Sequence, residues 1–233
     1  MRVTLASLLA GAQQARGTAV VVDVFRAFTC APLMFSLGIK ASILVAKPEQ
    51  ALALKQQDPD LVLVGEVGGE PIAGFDLGNS PSQILTKPPD FFAGRVAVQR
   101  TSAGVQGALA ALEAAEEVLL GSFGLARATA EYLRRRPPKQ VSIVAMGVQL
   151  ERPAPEDEWC ARYLAHLLGA GDYDYHQAMR EILADHTTQK FLRREKAYYP
   201  AEDPILCLQP DLYDFVLRAA REGEQVVVRK VAL

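Results

Sequence analysis

Six short apolar runs mark the first 150 residues: Ala19–Asp23, Ser42–Ala46, Leu61–Glu66, Arg95–Arg100, Glu117–Gly121 and Val141–Ala145. Each is too short for a helix and rich in Val, Ile or Leu, the signature of a buried strand. Between most of them lie helical patterns at Ala27–Leu37, Pro48–Gln57, Val105–Ala115 and Leu125–Arg135. Val105, Leu109 and Leu112 recur near helical spacing, and the alanines around them allow close packing on a sheet. Strand and helix in alternation predict an α/β domain, a largely parallel sheet with helices on both faces. Right-handed crossovers would gather the strand C-termini on one edge, which is where such sheets bind ligands.

The alternation breaks between Val67 and Gly94, a stretch rich in Gly and Pro with little periodicity. Its sequence is not of low complexity, and Phe75 and Leu77 can anchor it, so an ordered binding loop is expected. The last third reads as helices at Glu156–Leu168 and Tyr175–Arg194 and an apolar run at Ile205–Leu208. A helix at Asp211–Arg221 and a strand at Gln225–Val231 follow. No linker composition separates it, so residues 1–233 are expected to form one domain, with 151–233 a more helical lobe.

Polar residues cluster where the apolar runs end. In VVVDVFRAF, Asp23 and Arg26 follow a strand covered on both faces. A carboxylate there needs a cation, donors or water, so Asp23 pairs with Arg26, caps the next helix, or meets a ligand. The other strand ends contribute Glu66, then Arg100, Thr101, Ser102 and Gly104, then Ser122, then Gly147. The long loop adds Asp76, Asn79 and Ser80, and PAPEDE adds Glu156 and Asp157 at a helix start. Carboxylates suit a hard cation such as Mg²⁺, arginines suit phosphate or sulfonate, and Thr-Ser-Ala-Gly before a helix offers donors to an anion. Together these groups describe phosphate-ester chemistry better than hydride transfer.

Composition narrows the partners. Half the residues are hydrophobic and the formal charge is −2, with Lys and Arg dispersed, so no nucleic-acid partner is expected. Cys30, Cys160 and Cys207 show no metal-ligand spacing and fit a reducing cytoplasm. Leu5–Ala15 is too short and too weakly flanked for a leader, and no run nears the roughly 20 apolar residues of a membrane span, so no membrane partner is expected. His166, His176 and His186 do not share a helical face. Motifs for a P-loop, a dinucleotide fold and an esterase elbow are missing. Phe25 stands where a D-x-D phosphatase needs its second acid, which argues against a covalent aspartyl-phosphate.

Four segments, in order, resemble the 2-phosphosulfolactate phosphatase (ComB) family: VVVDVFRAFT, GEVGGEPIAGFDLGNSP, RTSAG before a helix, and PAPEDEWCARYL. The likeness runs from about Val20 to the C-terminal strand; GFDLGNSP (Gly74–Pro81) is its most specific part, then Glu156, Asp157, Cys160 and Ala161. It implies a three-layer α/β/α fold with a mixed sheet. It also implies Mg²⁺-dependent hydrolysis of (2R)-phospho-3-sulfolactate to 3-sulfolactate and phosphate, a step of coenzyme M biosynthesis. On this reading Asp23, Glu66 or Asp76, with Glu156 or Asp157, hold Mg²⁺, and Asp23, Arg26, Glu66 and Asp76 are catalytic. Arg26 and Arg100 orient anionic groups, and Asn79, Ser80, Thr101, Ser102, Gly104 and Ser122 bind substrate. Phe28, Cys30, Ala103 and Leu125 depart from the family pattern. These departures motivate two alternatives, another small anionic phosphate ester as substrate or a non-catalytic anion-binding homologue. A homo-oligomer stays open.

Overall fold

Alternate residues of the buried strands feed two different cores. In the computed structural model, which describes residues 1–88 and 90–233, Ala19 and Val21 pack on one face of the strand Thr18–Val22, and Val20 and Val22 on the other. Leu119 and Ile143 join Val20 and Val22, while Leu120 and Val144 join Val21. This is the period-two signature of a sheet covered on both sides. The fold is therefore a three-layer α/β/α arrangement around a mixed sheet.

The strands are β1 (Arg2–Ser7), β2 (Thr18–Val22), β3 (Ala41–Leu44), β4 (Val62–Val67), β5 (Glu70–Pro71), β6 (Val96–Arg100), β7 (Glu117–Gly121), β8 (Gln140–Ala145), β9 (Phe215–Glu222) and β10 (Gln225–Ala232). Their order is β1-β8-β2-β7-β9-β10-β3-β6-β4-β5. The helices are α1 (Leu8–Gln13), α2 (Ala27–Ser36), α3 (Pro48–Gln57), α4 (Pro81–Leu85), α5 (Gly104–Ala111), α6 (Ala126–Arg135), α7 (Pro155–Leu167), α8 (Tyr175–Ala184), α9 (His186–Leu192) and α10 (Glu202–Cys207). Helices α1, α2 and α5 share a core with both halves of the sheet, α6 to α8 cover the opposite face of one half, and α3 that of the other.

The topology corrects the expectation that all strand ends share an edge by direction alone. Strands β1, β8, β2 and β7 are mutually parallel, as are β3, β6 and β4. Between these blocks stand three antiparallel junctions, β7–β9, β9–β10 and β10–β3, so the blocks run in opposite senses. Twist offsets the reversal: at roughly 20–25° per neighbouring pair, the six steps from β2 to β4 accumulate roughly 120–150°. The loops after β2, β4, β6 and β8 thereby meet, as their contacts below show.

Two helix readings are corrected, and two further segments gain detail. Asp211–Arg221 was expected to be helical, and Leu217–Glu222 does have helix-forming composition. Pairing with β7 and β10 overrides that preference, and residues 215–222 form β9. Gly223, at φ +62°, makes the tight turn into β10 that a side chain would strain. Tyr175–Arg194 breaks in two at Asp185, whose carboxylate accepts from Thr187 N at 2.8 Å and starts α9. The Leu5–Ala15 run is divided between edge strand β1, paired with β8, and α1, packed on α5. The loop expected over Val67–Gly94 contains β5 and α4 and is tied to β4 through Leu77; Pro89 within it lies outside the described residues.

Candidate active site

Asp23 leaves β2 one residue beyond its last rung, in a segment where the Phe25–Arg26 peptide bond is cis. Its Oδ1 accepts from Ala27 N at 3.0 Å and its Oδ2 from Gly104 N at 2.6 Å, so one carboxylate closes the N-termini of α2 and α5. Position 104 needs glycine, because a Cβ there would lie 2.6 Å from Asp23 Oδ2. Asp157, at the start of α7, works behind it: its carboxylate accepts from Val24 N at 2.7 Å and Gly147 N at 2.8 Å. The loops after β2, β6 and β8 are thus tied together by two buried acids.

Glu66, near the end of β4, fastens the glycine turn to the loop after β6. It accepts from Gly69 N and Ser102 N, each at 2.6 Å, and from Ser102 Oγ at 3.0 Å. Gly68 N in turn donates to Ser102 Oγ at 2.8 Å. The turn approaches Tyr199 so closely that a Cβ on Gly69 would sit 2.5 Å from the phenol oxygen.

These loops surround a cleft of about 730 Å³ that opens to solvent. Of the residues singled out from sequence, Asp23, Arg26, Glu66, Asn79, Ser102, Gly147 and Glu156 line it. Glu156 is buried, and among the described residues neither its Oε2 nor Asn79 Oδ1 has a hydrogen-bond partner. Burial pushes the Asp23 carboxyl up to about 6, with Glu66 adding to the shift and the Ala27 and Gly104 amides opposing it. Burial, then the negative Asp185 and Asp23, push Glu156 up to about 8. Burial, then Asp23 and Glu156, hold Asp157 well above the usual carboxylate range. The cleft therefore concentrates more acid than its own donors neutralise, an arrangement that favours a cation.

Arg26 is oriented rather than free. Its Nη1 donates to Asp203 Oδ2 at 2.8 Å and to Tyr198 O at 2.9 Å, and its guanidinium lies 5.0 Å from the Phe191 ring centroid and 5.9 Å from that of Tyr199. Asp203 is fully buried and also accepts from Ser80 Oγ at 3.0 Å, Ser82 N at 3.0 Å and Ser82 Oγ at 2.6 Å. Nothing in the local sequence sets Asp203 apart; only the tertiary fold carries α10 to α4.

Other sequence candidates sit behind the cleft. Arg100 donates to Glu66 O at 2.6 Å and Ala46 O at 3.3 Å, bracing backbone. Thr101 Oγ1 accepts from Val105 N at 3.1 Å in the first turn of α5, and Ser80 caps α4. Ser122 is buried, its hydroxyl has no partner among the described residues, and it does not line the cleft. Asp76 is the clear correction. Its carboxylate pairs with Lys55 at 2.8 Å and accepts from Leu63 N at 2.7 Å, away from the other acids. A turn acid beside a lysine was indistinguishable in sequence from a metal ligand. Sequence reading missed Thr187, Lys190, Phe191 and Tyr199, which form the opposite wall.

Known proteins decide the family. A family model described as 2-phosphosulpholactate phosphatase matches residues 5–221. The chain belongs to that family. Within the 2-phosphosulpholactate phosphatase family, a Bacillus subtilis (strain 168) protein is 31% identical over 216 residues, 92% of each chain. A Thermus thermophilus relative is 39% identical over 166 residues, 71% of this chain and 68% of its own, and a Deinococcus radiodurans relative is 34% identical over the same shares. All three carry the name "Probable 2-phosphosulfolactate phosphatase". No helix among the described residues is long and apolar enough to cross a membrane.

Proposed function

We propose that this chain is a Mg²⁺-dependent phosphatase that converts (2R)-phospho-3-sulfolactate to 3-sulfolactate and phosphate. The observation that carries the reading is the unpartnered Glu156 Oε2 beside Asp23, in a cleft where Arg26 is held ready for an anion. Among the described residues no three His, Cys, Asp or Glu side chains enclose an ion by themselves. Mg²⁺ fits such a site, because it commonly uses one or two carboxylates and completes its shell with water and substrate oxygens. Asp23 and Glu156 would hold it. When bound, it would neutralise charge on the phosphoryl oxygens and acidify water.

The chain's own groups supply binding and orientation. Arg26 Nη2 and Nε, which have no hydrogen-bond partner among the described residues, would bind phosphoryl oxygens. Glu66, fixed by three donors, would orient the attacking water. Phosphoryl transfer asks mainly for positioning and charge stabilisation, so an oriented carboxylate suffices without strong basicity. Water forms the new P–O bond, the ester P–O bond breaks, and the water's proton ends on the departing alkoxide.

The test is phosphate release from 2-phosphosulfolactate by the purified protein, with Mg²⁺ and with chelator. Release that depends on the ion supports the reading. Turnover of other phosphate esters but not this one would reassign the substrate; tight binding without any release would make the chain an anion-binding homologue. Placement in coenzyme M biosynthesis and in the cytoplasm rests on the family resemblance and on the cysteine content respectively.

A further inference from the structure

We infer that Lys190 selects substrates by their second anionic group, the one remote from the phosphate; this deepens the phosphatase reading and rests on it. Two cationic side chains line the cleft, Arg26 and Lys190. The charge of Arg26 is balanced by Asp203 at 2.8 Å. Lys190 has no such partner: among the described residues no carboxylate lies within ion-pair distance of it. It is half-buried on α9, where Thr187, Lys190 and Phe191 share one helical face turned to the cleft.

Asp23, Glu66 and Glu156 come from the loop after β2, the end of β4 and the start of α7, whereas Lys190 comes from α9, in the wall it forms with Phe191 and Tyr199. Arg26 itself packs on that wall, 5.0 Å from the Phe191 ring centroid, so a phosphate held by Arg26 and the acids brings the rest of a small substrate up to it. An ammonium there is a point charge suited to sulfonate or carboxylate. A substrate with one anionic group has nothing to give it. Lys190 thus supplies discrimination rather than chemistry.

The experiment compares wild type, Lys190→Gln and Lys190→Arg on three esters: 2-phosphosulfolactate, 2-phospholactate, which lacks the sulfonate, and glycerol 2-phosphate, which lacks sulfonate and carboxylate. One charge-assisted contact corresponds to roughly a 10–100-fold change. Lys190→Gln is expected to reduce the wild-type preference for the more anionic esters by that factor, chiefly through KM, and Lys190→Arg to restore part of it. Lost preference between the first two esters assigns the contact to sulfonate; lost preference between the last two assigns it to carboxylate. A uniform fall on all three overturns the inference.

Calorimetric titration with 3-sulfolactate, which carries no phosphate, reads the same contact without turnover. There Lys190→Gln should weaken binding by a similar factor, and equal affinity of wild type and variant refutes the role even if hydrolysis is absent. Absence of phosphate release by wild type on every ester refutes the phosphatase reading alone. Thermal melts of both variants confirm that the fold is kept.

Discussion

Replacing Glu156 by Gln should make the cation-free protein more stable at neutral and alkaline pH while abolishing its response to Mg²⁺. Burial beside Asp185 and Asp23 raises the Glu156 carboxyl from 4.5 to about 8. The folded state therefore binds a proton that the unfolded chain has released. The stabilising proton uptake is complete below the unfolded value near 4.5 and is lost as pH rises to about 8. At pH 7 the linkage amounts to about 3 kcal/mol for this group, as an upper bound. Gln removes the ionisation but adds an amide donor that needs a partner, which costs about 1 kcal/mol or more.

A net gain of about 2 kcal/mol should raise the melting temperature by roughly 4–8 °C for a chain of this length. The assay is a set of thermal melts in chelator from pH 5 to pH 8, repeated with Mg²⁺. Wild type should melt lower as pH rises and recover with the ion, since cation binding replaces the proton. The variant should show a shallower slope, with Asp23 and Asp157 keeping part of it, and little recovery. A variant that melts below wild type at pH 8 in chelator, or that gains as much from Mg²⁺, would falsify this account of the acid cluster.

Asp203→Asn should reduce stability by about 3–5 kcal/mol, because Arg26 is left buried without its charge partner; urea melts measure this, and phosphate release should show KM rising with the loss of guanidinium orientation. Gly104→Ala should lose both stability and activity, since the new methyl would lie 2.6 Å from Asp23 Oδ2; an active, normally stable variant would show that Asp23 is not fixed by this amide. Asp76→Asn should leave kcat and KM as in wild type, and removal of the partly exposed Lys55 pair should cost no more than about 1 kcal/mol. A large kinetic defect in Asp76→Asn would return that residue to the site.

The first half of the fold was legible because buried strands and amphipathic helices differ in period, and Pro48–Gln57 and Glu117–Gly121 match the observed bounds. β9 was not, since Leu217, Ala219, Ala220 and Glu222 favour helices until cross-strand partners decide otherwise. In the cleft, Asp23 and Glu66 could be found because an acid next to a buried run is conspicuous, and Glu156 because PAPEDE sets acids at a helix start. Asp203 and Lys190 could not, because acids and lysines on short helices usually face solvent and only the fold brings these two inward. Arg100 and Thr101 were in the right region, yet their partners turned out to be backbone groups, apart from Ser102 Oγ at 3.4 Å from Arg100.

The β9–β10 hairpin sits between the two parallel blocks and pairs with β7 on one side and β3 on the other. Without it, Asp23 and Glu66 belong to halves that have no hydrogen-bonded strand between them. The opposed carboxylates therefore meet only in a sheet that this hairpin has bridged. Pairing at the centre of the sheet is thus a condition for the acid-lined cleft to form, and no described residue of the hairpin lines that cleft itself.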